Sequence, residues 1–222
     1  MTPLELPDEP RWVEAHGIAA DPESWRVVVG GGFAVGHDRM RLIVVAGEAD
    51  AGAVVAVARE RPQHTLLVAS EELVAALRGG AGRAVERAVL HTLPDPDALP
   101  DLDGAVPLTG DPPAELADEI ALARSRGATI WTVHVDDAPV SFAYAPWRSA
   151  RWFDISVDTL PRARQLGLAT IAAAAMIRDE RARGREPVWG ADEHNRASLA
   201  LAHTLGFQSV DEIWVSSPSA SP

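Results

Sequence analysis

The sequence predicts an α/β protein built in two parts, and three patterns indicate this. From residue 42 to residue 92, short β-rich runs alternate with helical runs, which is typical of a small α/β unit. The segment 94–113 holds six prolines and five aspartates, which disfavour regular structure. Beyond it, strand and helix patterns resume. We therefore predict an N-terminal α/β unit at 1–93, a linker at 94–113, a second domain at 114–215 and a disordered tail at 216–222.

The first part begins without clear patterning. The first forty residues contain four prolines and the run Gly30-Gly31-Gly32, so we expect an irregular lead-in with at most a short strand at Arg26–Val29. The elements predicted after it are a strand at 42–45, a helix at 49–59, a strand at 65–68, a helix capped by Ser70, and a strand at 84–92.

The second part also alternates. We predict a helix from Pro113 to Arg126 and a hairpin of 129–135 with 140–144. In a strand at 151–157, we expect Phe153, Ile155 and Val157 to form the apolar face. The remaining predicted elements are a helix from Leu168 that stops before Gly184, a short strand at 188–189, a helix at 197–205 and a strand at 208–215.

Composition excludes several kinds of site. The chain has no cysteine, which excludes disulfides, thiolate metal sites and a cysteine acyl-enzyme. A net charge of −12 argues against a general nucleic-acid binder and favours cationic partners such as amines, with a solvated acidic surface as the alternative explanation. The most apolar run, 42–58, is interrupted by Glu48 and Asp50, and the first residues lack a signal-peptide pattern, so we expect a cytoplasmic protein.

One segment suits anion binding. Arg164-Gln165-Leu166-Gly167-Leu168-Ala169 lies between a predicted strand and a predicted helix. A glycine at such a junction lets backbone N–H groups approach a ligand, and the helix start adds the positive end of its dipole. Arg162 and Arg164 add full charges suited to a pyrophosphate, while Arg148 and Arg151 make the neighbourhood basic. The alternative is an ordinary glycine turn with solvated arginines.

A second segment, Asn195-Arg196-Ala197-Ser198, is followed by Leu205-Gly206-Phe207. Asn195 could serve simply as the cap of the next helix. Together, and in this order, the two segments resemble the motifs of the GCN5-related N-acetyltransferase (GNAT) superfamily. Arg164, Gly167 and Ala169 match the first motif; Asn195, Ser198 and Leu205-Gly206-Phe207 match the second. The resemblance covers residues 115–215.

The resemblance implies a fold, a cofactor and a set of binding residues. The fold is a mixed, mostly antiparallel, twisted sheet flanked by helices. The cofactor is acetyl-coenzyme A as a co-substrate, with no metal. The residues implied for its pyrophosphate are Gln165, Leu166, Gly167, Leu168, Ala169 and Thr170, with Arg162 and Arg164. Those implied for its pantetheine arm are Ser156, Val157, Asn195 and Ser198.

Catalysis is less clearly indicated. Direct transfer needs a base for the amine proton and an acid for the coenzyme A thiolate. Many family members place a tyrosine acid seven residues after the motif asparagine, but Ala202 stands here and the only tyrosine is Tyr144. We therefore expect reprotonation by water, by Ser198 or by His203. The N–H near Val157 is the expected oxyanion donor.

Asp154 is the first candidate for the base, because polar residues on its strand alternate toward one face. It could instead pair with Arg148 or Arg151. The other candidates for the base are Asp158, Asp192, Glu193, His194 and His134. Four tryptophans could line an acceptor pocket, with packing in the core as the alternative: Trp131, Trp147, Trp152 and Trp189.

The sequence thus favours an acetyl-CoA-dependent N-acetyltransferase that moves the acetyl group directly to the amine of a small molecule. Two alternatives remain: a non-catalytic module that binds or senses acyl-CoA, and a peptide or protein N-acetyltransferase. We expect no nucleic-acid or membrane partner. A homodimer is compatible with the resemblance, since sheet edges in the family often pair.

Overall fold

The computed structural model describes residues 5–218, which divide into two compact units. Unit 1 holds the described residues up to Leu90, together with Ala191–His194 and the residues from Val210 onward. Unit 2 holds His91–Gly190 and Asn195–Ser209. The predicted linker at 94–113 lies close to this boundary. The last strand, however, returns to unit 1, which the sequence patterns do not indicate.

Within the described residues, the strands are β1 (Trp25–His37), β2 (Leu42–Ala49), β3 (Thr65–Val68), β4 (Ala84–Thr92), β5 (Ala105–Pro107), β6 (Trp131–Val135), β7 (Ala138–Tyr144), β8 (Trp152–Asp154), β9 (Ser156–Thr159), β10 (Glu186–Asp192) and β11 (Gln208–Ser217). The α-helices are α1 (Val13–Ala19), α2 (Ala51–Glu60), α3 (Glu71–Ala81), α4 (Ala117–Ser125), α5 (Leu168–Ala182) and α6 (Arg196–Thr204). Strand pairing is mixed and mostly antiparallel, which confirms the predicted fold class.

Unit 1 carries its strands in the order β1–β2–β3–β11–β4. β1 and β2 are antiparallel, β2 and β3 are parallel, and β3 and β11 are antiparallel. A parallel pair requires a crossover connection, and α2 provides it between β2 and β3. The core of this unit is aliphatic, with Ile43 and Leu66 from the sheet and Leu77 from α3 fully buried.

The prediction of an irregular lead-in is wrong. α1 and β1 occupy much of this stretch, and β1 runs through Gly30-Gly31-Gly32 for thirteen residues in all. The glycines allow close packing. A Cβ on Gly32 would lie 2.3 Å from the carbonyl oxygen of Ala46, and one on Gly36 would lie 2.2 Å from the Trp25 ring. The residues that suggest a loop are therefore those that close strand pairing requires.

The predicted helix cap in unit 1 also differs. Ser70 precedes α3, but its side chain makes no capping hydrogen bond. Asp50 does cap α2, because its Oδ1 accepts a hydrogen bond of 2.8 Å from the N–H of Ala53. The start of α2 is thus satisfied by a side-chain carboxylate.

The last strand extends past its predicted end. β11 continues to Ser217, so Ser216 and Ser217 do not belong to a tail, while 219–222 lie outside the described residues. Ser216 is completely buried, and Arg83 donates to it from Nε to Oγ at 2.9 Å and from Nη2 to the carbonyl oxygen at 3.0 Å. Arg83 also donates to the carbonyl oxygens of Pro62 and His64. These acceptors are neutral, and burial lowers the pKa of Arg83.

We expect Arg83→Leu to lower the free energy of unfolding by about 3 kcal/mol, because three carbonyl groups and a hydroxyl would lose their donor. Urea denaturation measures this. Ser216→Ala should cost about 1 kcal/mol, since it removes a single side-chain acceptor. Arg59→Leu is the matched control, because the exposed Arg59 donates to one carbonyl oxygen, that of Gly80. Equal losses for the two arginines would contradict the role assigned to Arg83.

Unit 2 contains an antiparallel sheet in the order β5–β6–β7–β9. β6 and β7 form the predicted hairpin, and Asp136 and Asp137 at its turn have positive φ angles of 51° and 62°, as tight hairpins require. β5 lies in the segment predicted as a linker. Its pairing with β6 shows that a proline-containing segment can still form an edge strand.

The predicted strand at 151–157 is two strands with different partners. β8 pairs with β10 in parallel, whereas β9 pairs with β7 in antiparallel orientation. Because the chain changes partner at Ile155, the predicted alternation is lost, and Trp152 and Phe153 are both buried. Phe153, Ile155 and Val157 therefore do not form one apolar face.

A buried carboxylate anchors α5. Glu180 is 1% exposed, and it accepts hydrogen bonds of 3.0 Å from Nε of Arg148 and from Nη1 of Arg185. The pairing joins the helix to the segments that precede β8 and β10. It also means that Arg148, which the sequence places in the anion-binding neighbourhood, is engaged elsewhere.

Candidate functional site

The chain turns sharply between β9 and α5. Gln165 and Gly167 both have left-handed backbone, with φ angles of 63° and 76°. Gly167 is the N-cap of α5, and a Cβ placed there would meet no atom within 4 Å. The first N–H groups of a helix have no carbonyl partner within the helix. The start of α5 is therefore open to a ligand that accepts hydrogen bonds.

Positive charge accompanies this open helix start. Arg162 and Arg164 are both exposed beside the turn. Arg164 is oriented by a hydrogen bond of 3.1 Å from its Nε to the carbonyl oxygen of Thr159. The guanidinium groups and the positive end of the helix dipole both attract negative charge, so the turn favours the binding of an anion.

A cavity of about 660 Å³ opens at the turn. Val157, Asp158 and Thr159 line it from β9, Trp189 and Gly190 from β10, and the start of α6 completes it. This volume lies within the range of small-molecule and cofactor sites.

The cavity lies between two strands that pair elsewhere. Among the described strands, β9 ends its sheet with β7 as its neighbour, and β10 pairs with β8. An edge strand presents N–H and C=O groups that a ligand with amide groups can pair with. The edge of β9 therefore offers backbone hydrogen bonds along the cavity.

The start of α6 is fixed by its own side chains. Oδ1 of Asn195 accepts a hydrogen bond of 3.1 Å from the N–H of Ser198, so Asn195 is the helix cap that one interpretation of the sequence requires. Ser198 Oγ in turn accepts a hydrogen bond of 2.9 Å from Nε1 of Trp189. Both residues line the cavity, so capping and ligand contact are compatible.

The structure brings most of the predicted cofactor residues together. Those that line the cavity are Val157, Arg164, Gln165, Gly167, Leu168, Ala169, Asn195 and Ser198. In the described part of the chain, four others do not line it: Ser156, Arg162, Leu166 and Thr170. Their contacts with a cofactor remain predictions.

Asp154 has a pKa suited to a general base, but it does not line the cavity. Burial raises its pKa to about 7, against a hydrogen bond from the N–H of Ile155 that lowers it. Arg148 bonds to Glu180, so it is not the partner that the sequence suggested for Asp154. Its role as a base stays a prediction that its position does not favour.

Asp158 lines the cavity beside Val157. Burial raises the pKa of Asp158, a hydrogen bond from Tyr144 lowers it, the charge of Glu119 raises it and that of Arg164 lowers it. No sequence motif indicates Glu119 as a functional residue. Its proximity depends on how α4 packs against the sheet, and no local pattern reports that packing.

The remaining candidates for the base do not line the cavity. Among the described residues these are Asp192, Glu193, His194 and His134. Glu193 forms an ion pair of 2.7 Å with Arg87, and His134 is exposed on β6. The position that holds a tyrosine in many relatives, Ala202, is fully buried, and His203 beside it is exposed.

Of the four tryptophans that the sequence suggests for an acceptor pocket, only one lines the cavity formed by the described residues. Trp189 lines it and also packs edge-on against Phe207, with 5.5 Å between ring centroids. Trp147 and Trp152 are buried in the core and Trp131 is half-buried.

One group of possible metal ligands lies in unit 1. Asp21, Glu23 and His37 have ligand atoms within 4.8 Å of one another. Nδ1 of His37 accepts a hydrogen bond of 3.3 Å from the N–H of Met40, so the neutral ring carries its hydrogen on Nε2. Nε2 lies 3.5 Å from Asp21, and a protonated nitrogen does not ligate a metal. The geometry favours a histidine–carboxylate contact over a metal site.

Comparison with known proteins agrees with the geometry of unit 2. Residues 124–215 match the family model described as GNAT acetyltransferase. This segment belongs to the GNAT family. Membership implies acyltransferase activity. No curated protein has a detectable match to the chain.

Solved GNAT structures share the fold along nearly the whole chain. A GCN5-related N-acetyltransferase-like protein from Streptococcus suis has a TM-score of 0.68 at 19% identity, covering 96% of this chain and 94% of its own. A putative GNAT acetyltransferase from Novosphingobium aromaticivorans has a TM-score of 0.65 at 18% identity, covering 96% of this chain and 98% of its own. A GCN5-related N-acetyltransferase from Kribbella flavida has a TM-score of 0.66 at 16% identity, covering 95% of each chain. At these identities the likeness establishes the fold, and its extent includes unit 1.

In residues 5–218, no helix has the length and apolar character needed to cross a lipid bilayer.

We expect Asp154→Asn to stabilise the protein more at pH 8 than at pH 4. Burial raises the pKa of Asp154 from its ordinary value of 3.8 to about 7, so the folded state favours the protonated form. That contribution to stability is complete below the unfolded pKa and is lost as the pH rises through about 7. Asparagine stays neutral, so the variant should gain up to about 4 kcal/mol relative to the native protein across this window. Urea unfolding of both proteins at pH 4 and pH 8 measures how the stability difference between them changes with pH. A stability difference that does not depend on pH would contradict the burial of this carboxyl group.

Proposed function

We propose that this chain is an acetyl-CoA-dependent N-acetyltransferase that moves the acetyl group to the amine of a small molecule. One observation carries the proposal. The open start of α5 and the open edge of β9 meet in one cavity, so donors for an anion and backbone groups for an amide-containing arm lie side by side.

The residues present fit coenzyme A. The N–H groups at Gln165, Gly167, Leu168 and Ala169, with the guanidinium of Arg164, would hold its pyrophosphate. The space above Gly167, which a Cβ would enter without meeting any atom, lets a phosphate approach the backbone. When bound, acetyl-CoA supplies an acetyl group activated as a thioester.

The residues farther along the cavity would orient that thioester. Val157, on the open edge of β9, is proposed to direct its N–H toward the carbonyl oxygen that gains negative charge during transfer. Ser198 and Asn195 lie across the cavity on α6, where they would contact the arm of the coenzyme. Trp189 holds Ser198 in place through its indole N–H.

The proposal of a small cationic acceptor rests on charge. The chain carries a net charge of −12, and Asp158 lines the cavity. Both favour an amine over a nucleic acid. The proposed reaction does not include a metal ion.

A second candidate is a non-catalytic module that binds acyl-CoA. The observation that favours it is Ala202, buried where many relatives place a tyrosine acid. Turnover separates the two candidates. Release of free thiol from acetyl-CoA in the presence of any member of an amine panel would exclude the module, and cofactor binding without turnover would support it.

We expect Gly167→Glu to weaken acetyl-CoA binding by more than about tenfold, because it adds a negative charge at the start of α5 where the pyrophosphate is proposed to bind. Isothermal titration calorimetry measures the change. Gly184→Glu is the matched control. Gly184 also has a positive φ, 82°, with no atom within 4 Å of a Cβ, but it follows the other end of α5 and does not line the cavity.

The control separates backbone strain from loss of the anion site. Both variants force glutamate into left-handed backbone, so both should lose similar stability. Only Gly167→Glu should lose affinity. Equal affinity in the two variants, or no binding by the native protein at millimolar acetyl-CoA, would refute the proposed cofactor site.

A further inference from the structure

Unit 2 contains a row of three polar side chains that runs from the cavity to the surface. Asp158 on β9 lines the cavity. Its Oδ2 lies 3.1 Å from the hydroxyl oxygen of Tyr144 on β7, which lies 3.0 Å from Oε2 of Glu119 on α4. Tyr144 is 1% exposed, whereas Glu119 is exposed to solvent. The hydroxyl group is therefore the buried link between a cavity residue and a surface residue.

Strand pairing fixes this arrangement. Tyr144 pairs with Ser156, two residues from Asp158, so the side chains of Tyr144 and Asp158 leave the same face of the antiparallel pair. Ile120 of α4 belongs to the same apolar cluster as Phe142 and Tyr144. That packing brings the neighbouring Glu119 to the hydroxyl group.

The hydroxyl group has one hydrogen and two carboxylate neighbours. It can donate to one of them at a time, and it can accept from the other when that carboxyl group is protonated. Two hydrogen-bond arrangements therefore exist, and they differ by a shift of hydrogens along the row. Burial and the charge of Glu119 raise the pKa of Asp158, which favours a proton on the cavity side.

We propose that Asp158, Tyr144 and Glu119 form a proton path that carries the proton lost by the acceptor amine from the cavity to solvent. This inference rests on the proposed acetyl transfer. The neutral form of the amine attacks the thioester. As the C–N bond forms and the C–S bond breaks, sulfur keeps the electron pair and the amine nitrogen must lose one proton. Asp158 accepts that proton.

The proton then moves along the row to solvent, and rotation of the Tyr144 hydroxyl group back toward Glu119 restores the starting state. Protonated Asp158 donates to the oxygen of Tyr144 while Tyr144 passes its own hydrogen to Glu119, and Glu119 releases it to water. One proton enters and one leaves, so no residue keeps a changed charge. The path makes no use of a tyrosine at position 202 and assigns a role to the only tyrosine in the chain.

Three groups facing Asp158 set its pH dependence. Tyr144 from β7 lowers the pKa of Asp158 by hydrogen bonding, Glu119 from α4 raises it, and Arg164 from the turn before α5 lowers it. The base acts when Asp158 is ionised, so the rate should rise with pH through its pKa. Removing Tyr144 or Glu119 should therefore move this rise in opposite directions.

The test uses the full chain, acetyl-CoA and a panel of ethanolamine, tyramine and spermidine, with free thiol measured between pH 5 and pH 9. For the amine that the native protein acetylates, Tyr144→Phe and Glu119→Gln should each lower kcat about tenfold and leave the KM for acetyl-CoA unchanged. The rise in kcat should shift to higher pH in Tyr144→Phe and to lower pH in Glu119→Gln. Asp158→Asn should lower kcat about a hundredfold.

Asp118→Asn is the matched control, since it removes one negative charge from the exposed residue next to Glu119 on α4. It should keep kcat and the pH profile. A purely structural role for Tyr144 would change the unfolding midpoint without moving the pH profile, and that result would overturn the path. Because Glu119 is exposed, its variant should fold even if Tyr144→Phe does not.

The outcomes separate this inference from the proposed function. If the native protein acetylates an amine but both variants keep its kcat and pH profile, the proton path is wrong and acetyl transfer stands. If the native protein binds no acetyl-CoA or acetylates no amine, the proposed function fails and the path fails with it. Titration of the Asp158 carboxyl carbon by NMR gives a readout without turnover, and the path requires opposite pKa shifts in the two variants.

Discussion

The site depends on one constraint, which is that β9 and β10 do not pair with each other. The chain achieves this at Ile155, where β8 ends and takes β10 as its parallel partner, so that β9 is left with β7. If β9 and β10 were joined by a ladder, the backbone groups of β9 would be used by the protein and the cavity would close. A change of strand partner over a single residue therefore creates both the space and the hydrogen-bonding edge.

Local features of the site could be predicted from the sequence, and long-range ones could not. Gly167 at a strand-to-helix junction indicates an open helix start, because its left-handed backbone and missing side chain are local properties. β3 and β4 begin and end where the patterns predict. By contrast, Gly30-Gly31-Gly32 suggests a loop, because no sequence pattern shows that β2 pairs closely with these glycines. Glu119 was missed for the same reason.

The chain presents one order of elements twice. An antiparallel strand pair, a helix, a strand, a helix and a strand follow one another in β1–β4 with α2 and α3. The same order recurs from β7 to β11 with α5 and α6, except that β8 is inserted between the paired strands β7 and β9. Two differences explain why the motifs belong to the second series. β2 and β3 are paired, so no edge is open between them. The start of α2 is also filled by the carboxylate of Asp50, which repels an anion.

The position of β11 sets an order on folding during synthesis. In unit 1 it lies between β3 and β4, although about 115 residues (93–207) separate it from β4 along the chain. The N-terminal strands are synthesised before β11, and until β11 is present the edges of β3 and β4 that it pairs with have no partner in unit 1. During that interval unit 2 has nearly all of its sequence available. The sheet of unit 1 is therefore complete only once β11, the last strand of the described chain, is present.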